Sequence, residues 1–290
     1  MIRIFLLTTQ HLEDGLWFRD EEDFKVAMNY VALEAARRPE VVVLAFILMS
    51  NHVHFVLKGA QEDVAAFLEA VKHRYSVYFQ RKYGIKELLR RNELYVQPVP
   101  YDNEAAERAV AYVQMNSVAA NICAFCNQYP WGTGSLIFQQ EKADGVPLAS
   151  LSARARKRML HSNQDTPPGH WLIGKEGYIL PQNYVDVAFI EQLYRTPKRM
   201  NYFLSTSSKA RKKLEMNEDN LPAFRDQTLL AALPDLIRSL FQKDSFHQLS
   251  ADEQEELARQ LRFRFSADAN QIARVCGLTY ADAARLRDTA

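Results

Sequence analysis

Two short patterns in this chain carry side chains suited to chemistry. His52-Val53-His54 lies in an apolar, alternating segment, so a strand there sends both imidazoles to one face and Val53 and Phe55 to the other. Seven histidines among 290 residues produce about 0.17 such pairs by chance. The pattern alone is therefore weak, and packing or hydrogen bonding of the rings explains it about as well. The second pattern is Tyr112 and Asn116, four residues apart and so stacked on one face of a helix. If that helix lies beside the histidine strand, two imidazole nitrogens and an amide oxygen can hold a divalent ion with positions left for water and a phosphate oxygen. The phenol then reaches the phosphorus.

Phosphodiester breakage asks for such a set. The diester is anionic and repels nucleophiles, so a Lewis acid has to neutralise and orient it. Tyrosine, with an ordinary pKa near 10, must be positioned and deprotonated, yet once joined to phosphate it keeps the bond energy for rejoining.

The elements that would position these groups can be read in order. Residues 2–9 form a strand, and Glu21 to Arg37 an amphipathic helix with Phe24, Met28, Val31 and Ala35 on one stripe, ended by Pro39. Val41 to Leu57 is β-branched and apolar apart from Met49-Ser50-Asn51, which suits two sheet segments joined at a bend, the second being His52 to Leu57. A helix over 61–83 closes at Gly84, a strand follows at Glu93 to Val99, and Asp102-Asn103 caps a helix running to about Phe125. This β-α-β-β-α-β-α order predicts an α+β fold, a ferredoxin-like antiparallel sheet with helices on one face. Beyond Tyr129-Pro130-Trp131-Gly132-Thr133-Gly134 a turn-rich stretch leads into a mainly helical half broken at several prolines. We expect a boundary near 140–147, between a nuclease-like domain over 1–140 and an α-helical domain over 147–290.

The stretch from Phe46 to Leu57, with Ser50-Asn51-His52-Val53-His54 at its centre, resembles the HUH motif of single-tyrosine transposases, particularly the REP-associated tyrosine transposases. Tyr112 to Ala120, followed by Tyr129-Pro130-Trp131, is similar to that family's nucleophile helix and the turn after it. The resemblance covers roughly residues 1–135. It implies that His52, His54 and Asn116 bind Mg²⁺ or Mn²⁺, and that Tyr112 forms a 5′-phosphotyrosine and releases a 3′-hydroxyl. The family commonly has proline after the helix asparagine; here Ser117 stands there, a change that alters the helix locally and removes no functional group.

Several basic segments suit the single-stranded or hairpin DNA that the resemblance implies as partner. Val71 to Tyr83 interleaves Lys72, Arg74, Arg81 and Lys82 with aromatic residues, which suits phosphate contacts and base stacking as well as it suits an ordinary amphipathic helix. Arg90 and Arg91 extend the track, and Arg154 to Arg158 and Lys209 to Lys213 add clusters. Residues 269–288 resemble a helix-turn-helix unit, with Gly277 at the turn, Thr279 opening the second helix, and Arg274 and Arg285 as DNA contacts.

Composition sets outer limits. With 48% hydrophobic and 24% charged residues the chain buries a core and is not a disordered polypeptide. Its net charge of +1 points to no partner. No apolar run approaches a membrane span and no signal peptide opens the sequence, so the expected location is the cytoplasm. Cys123, Cys126 and Cys276 do not make a disulfide framework, and the C-x-x-C of the first two lacks the second pair that a four-thiolate zinc site needs. The expected activity is metal-dependent nicking and rejoining of single-stranded DNA. Its rivals are a catalytically silent DNA- or RNA-binding regulator and a hydrolytic phosphodiesterase in which water replaces the phenol. Both a monomer and a helix-exchanged homodimer suit the resemblance.

Overall fold

The computed structural model describes residues 2–9, 16–85, 92–102, 104–120, 122–139, 144–163, 167–207, 226–265 and 267–289. Arg90, Arg91, Asn103 and the Lys209 to Lys213 cluster lie outside them. The first half follows the expected order: β1 (Arg3–Thr9), α1 (Glu21–Arg37), β2 (Val42–Met49), β3 (His52–Gly59), α2 (Gln61–Tyr83), β4 (Leu94–Pro98), α3 (Ala105–Gln114) and a single turn, α4 (Asn116–Ala119). The strands form one antiparallel sheet in the order β2-β3-β1-β4, the arrangement of a ferredoxin-like α+β fold.

Local signals account for these elements. An Asp20/Asp23 capping box starts α1, satisfying amide groups that the first turn leaves without a helical partner. Gly84, at φ 69°, ends α2 in the left-handed conformation that glycine adopts without penalty. Asp102 Oδ1 accepts from the amides of Glu104 and Ala105 at the start of α3.

Helices were expected on one face of the sheet, and the structure places them on both. Phe55 of β3 meets Phe67 of α2 with ring centroids 6.3 Å apart on one side. On the other, His54 meets Tyr112 of α3. The reason lies in β2 and β3, which are buried along almost their whole length; strands apolar on both faces need cover on both. The third helix also stops earlier than Phe125, giving way at Met115 to the short α4.

The later half contains α5 (Ala153–Met159), α6 (Val187–Tyr194), α7 (Pro197–Thr206), α8 (Asp226–Phe241), α9 (Ala251–Phe265), α10 (Ala269–Cys276) and α11 (Tyr280–Thr289). The change of character at 140–147 is not a change of core. Leu148, Trp171, Ile173 and Ile179 join the sheet's core, which extends to Phe203. The stretch 159–179 packs against α1, where Asn29 donates through Nδ2 to Met159 O at 3.2 Å and accepts from Ile179 N at 2.9 Å. A second core gathers residues from Leu229 to Leu286, with Leu16 reaching in from the first half. Among the described residues no helix is long and apolar enough to cross a membrane.

The edge of β2 is covered by the turn after Tyr129-Pro130. Leu48 N donates to Trp131 O at 2.8 Å, Thr133 N to Phe46 O at 3.0 Å, and the Tyr129 hydroxyl to Leu48 O at 2.7 Å. Gly132 sits so close that an added Cβ would stand 2.7 Å from Phe46 O and 3.2 Å from Ile47 Cα. These are backbone atoms and cannot step aside cheaply. Gly132→Ala is therefore expected to cost about 1–3 kcal/mol, read as a lower urea midpoint with an unchanged slope; an unaltered midpoint would show that the turn does not seal this edge.

Candidate active site

The site begins with strand register. Ile47 of β2, His54 of β3, Thr8 of β1 and Tyr95 of β4 are successive cross-strand partners, so their side chains share the face that α3 covers. His52, one pleat repeat away, is opposite Met49 on the same face. The two imidazoles are buried, 4.7 Å apart between centroids and nearly perpendicular. Nδ1 of His54 is 2.8 Å from Thr8 Oγ1, and Nδ1 of His52 is 2.7 Å from Asn51 Oδ1. Such contacts fix each ring's rotation and leave the opposite nitrogen, Nε2, as the end presented away from the tether.

Tyr112 comes from α3, its ring edge-to-face with His54 at 5.6 Å and 88°. Burial pushes its phenol above the ordinary tyrosine range. Asn116 follows one turn later, 3% exposed, and donates through Nδ2 to Tyr112 O at 2.8 Å and to Val113 O at 3.2 Å. A side-chain amide thus serves carbonyls where the regular helix is interrupted at Met115. With the nitrogen committed to the helix, amide geometry turns the oxygen away from it. The helix is held from outside as well: Arg199 of α7 bonds the buried Glu107 carboxylate at 2.8 and 3.0 Å, and the Tyr194 hydroxyl donates to Glu107 O at 2.7 Å.

The turn that carries the histidines is fixed at several points. Ser50 O accepts from Trp17 N at 2.7 Å and Phe18 N at 3.1 Å. Ser50 Oγ donates to Arg264 O at 2.7 Å, in the last turn of α9, where carbonyls lack a helical partner. The Arg264 side chain is itself buried, bonded through Nε to Gln260 at 2.6 Å and 3.8 Å from the Glu21 carboxylate; burial lowers its pKa. Arg19 adds a link to Asp235 of α8 at 2.8 Å. The second core therefore abuts the histidine turn directly.

The structure brings His52, His54 and Tyr112 together, with Asn116 opening α4 just after the helix that carries the phenol. It does not bring the basic residues of α2 to them, since α2 covers the opposite face. Lys72 corrects the expectation of a phosphate contact: it turns inward, 6% exposed, to Asn92 O at 2.7 Å and Glu69 at 2.8 Å. Tyr75, Tyr78 and Phe79 are core residues, so the stacking read into this segment is absent for them. Lys82 is bound by Asp20 and Asp23 at 2.6 and 2.8 Å, and Arg74 by Glu34. The helices of the expected helix-turn-helix are present as α10 and α11 with Gly277 at φ 70°. Thr279 caps the second by accepting from Asp282 N at 3.2 Å. Arg274 is paired with Asp226 and Arg285 with Asp282, both on the surface. Cys123 and Cys126 are half-buried thiols, and burial pushes the Cys126 pKa up to about 11. Among the described residues no three of His, Cys, Asp and Glu gather as a metal site; the candidate set instead pairs two imidazoles with an amide.

Thr8, Ser50 and Asn51 were missed as site residues. Asn51 adjoins the histidines in sequence, but the parts played by Thr8 and Ser50 depend on strand register and on docking of α9, neither of which leaves a local pattern.

Residues 17–113 match the family described as Transposase IS200 like. The match ends just past Tyr112 and leaves Asn116 and the helical half outside it. No curated protein and no solved structure matches the chain.

Replacing Ser50 by Ala leaves the Arg264 carbonyl without its hydroxyl donor, at an expected cost of about 1–3 kcal/mol. Amide exchange at Asn51 to His54 should quicken in that variant. Exchange rates equal to wild type would mean that α9 does not brace the turn.

Proposed function

We propose that the chain has a DNA-processing role of transposase type, nicking and rejoining single-stranded DNA through Tyr112, a reading supported by the match of residues 17–113 to the IS200-like transposases. The observation that carries this reading is the approach of the Tyr112 ring to within 5.6 Å of His54, itself 4.7 Å from His52. A tyrosine of the core edge has no need of paired imidazoles, and paired imidazoles have no need of a phenol beside them; phosphoryl transfer to tyrosine uses both.

His52 and His54 would hold a divalent cation through Nε2, with Asn116 Oδ1 as the third protein donor. The donor chemistry fits: imidazole nitrogen with amide oxygen suits Mn²⁺ and accommodates Mg²⁺. When bound, such an ion supplies charge neutralisation and orientation of the diester. The remaining work falls to the protein. Thr8 and Asn51 keep the imidazoles from rotating, and α3 holds the Tyr112 ring against His54. The phenol gives up its proton, its oxygen forms a bond to phosphorus, and the bond from phosphorus to the 3′-oxygen breaks, that oxygen leaving as a hydroxyl. Attack by a 3′-hydroxyl on the phosphotyrosine reverses the step and returns the proton to Tyr112.

Incubation with single-stranded oligonucleotides and Mn²⁺ should give a covalent adduct visible by denaturing electrophoresis. Tyr112→Phe should abolish it, and His54→Ala or chelation should reduce it at least 100-fold. Cleavage without an adduct, persisting in Tyr112→Phe, would favour hydrolysis by water; binding with neither would favour a silent regulator. Because burial raises the phenol's pKa, the phenolate is the minor form at neutral pH and its fraction grows about tenfold per pH unit. Adduct formation should accordingly climb from pH 6 to 9, and a flat profile would place deprotonation outside the limiting step.

A further inference from the structure

At the end of the sheet where Ile4 pairs with Lys58, the start of α3 and the joint between α6 and α7 help to enclose a cleft of about 770 Å³, a volume typical of small-molecule sites. Lys58, Arg195 and Arg199 line it, as do Arg3 and Tyr101. Its carboxylates are matched by arginines: Glu107 by Arg199 at 2.8 Å, and Asp102 and Glu104 by Arg108 at 3.1 and 2.8 Å. Lys58 and Arg195 form no ion pair among the described residues; Lys58 lies over the Phe189 ring, 4.9 Å from its centroid. Two such cations in one cleft repel each other, and an anion between them relieves the repulsion. Arg195 is also held at φ 63° and ψ −37°, with Thr196 N bonded to Tyr194 O across it at 2.8 Å. That is a γ-turn of the strained hand. Glycine would adopt it without penalty, yet an arginine stands there.

We propose that this cleft binds a free nucleoside phosphate, its phosphate between Lys58 and Arg195 and its base on Tyr101. Tyr101 is 73% exposed, and the Arg3 guanidinium covers one face of its ring at 4.9 Å. This cation–π contact steadies the ring and leaves the other face for a base to stack on. A bare phosphate needs no such ring and fills little of the volume. A polynucleotide would carry further phosphates past Asp102 and Glu104, both about half exposed, whereas a single nucleotide keeps its charge in one place. The position of the cleft gives an occupant a consequence. Lys58 lies two pleat repeats beyond His54 on the same face of the sheet. Ala106 and Glu107 of α3 line the cleft, and the helix rises about 9 Å from Ala106 to Tyr112. A bound nucleotide meets one end of α3 while the phenol stands near the other. The site does not depend on whether the chain acts on DNA.

The test is isothermal titration of the full chain with ADP, pyrophosphate and an unphosphorylated single-stranded oligonucleotide. ADP should bind, and Lys58→Gln and Arg195→Gly should each weaken it about tenfold or more, as loss of a charged donor does. Arg195→Gly also relieves the γ-turn of its Cβ, so its urea midpoint should not fall, which separates lost binding from lost folding. Tyr101→Ala should weaken ADP and leave pyrophosphate unchanged. Bound ADP should slow amide exchange over 105–112. A wild-type chain that does not take up ADP overturns the proposal, as does ADP binding that survives both cation variants. Equal affinity for ADP and pyrophosphate, unaltered in Tyr101→Ala, would reduce the cleft to an anion patch and overturn it too. So would displacement of ADP by the oligonucleotide, which would make the cleft part of a DNA surface.

Discussion

The register of β1 against β3 is the constraint on which the site depends. Thr8 lies opposite His54, and because side chains alternate along a strand, a slip of one residue would turn both imidazoles toward α2 and the apolar core. Phe55 and Leu57 would then face α3. The alternation of burial cannot resist that slip alone, since β3 is buried on both faces. Specific polar contacts supply the difference: Thr8 meets His54 on one face, and Thr9 Oγ1 accepts from Val53 N at 3.0 Å. Two adjacent threonines at the end of an apolar strand thus hold the pairing that aims the rings.

The same turn joins the two cores. Ser50 lies between the amides of Trp17 and Phe18 and the last turn of α9, so the helical half contributes to the geometry of a site whose side chains all come from the first half. A buried arginine at this junction, held by Gln260 and near Glu21, makes the contact specific, because displacing it would leave a charge in an apolar setting. The family match stops before α9, so this bracing belongs to the part of the chain that the family does not describe.

Much of the architecture was legible in sequence because local signals agree with the fold. Pro39, Gly84, the apolar run broken at Ser50-Asn51 and the Asp102 cap each mark an element boundary that the structure keeps. The two chemical patterns were legible for a similar reason, since His52/His54 and Tyr112/Asn116 each follow from one element's periodicity. What could not be read was anything needing two elements at once. Lys72 looks like its basic neighbours in sequence, yet Asn92 O draws it inward. The early end of α3 turns on a side-chain amide competing for backbone carbonyls at Tyr112 and Val113. The passage from 148 to 203 reads as the start of a separate helical half, and its apolar residues nonetheless join the sheet's core.

The tether from Asn116 to the carbonyl of Tyr112 makes the proposed nucleophile and the proposed amide ligand one rigid body. A movement of α3 along the sheet shifts both relative to the histidines by the same amount, so the helix cannot deliver a phenol while leaving the amide behind. Should two chains trade this helix, the traded piece would be a cassette holding two of the four site residues. Each composite centre would then draw its imidazoles from one subunit and its oxygen chemistry from the other.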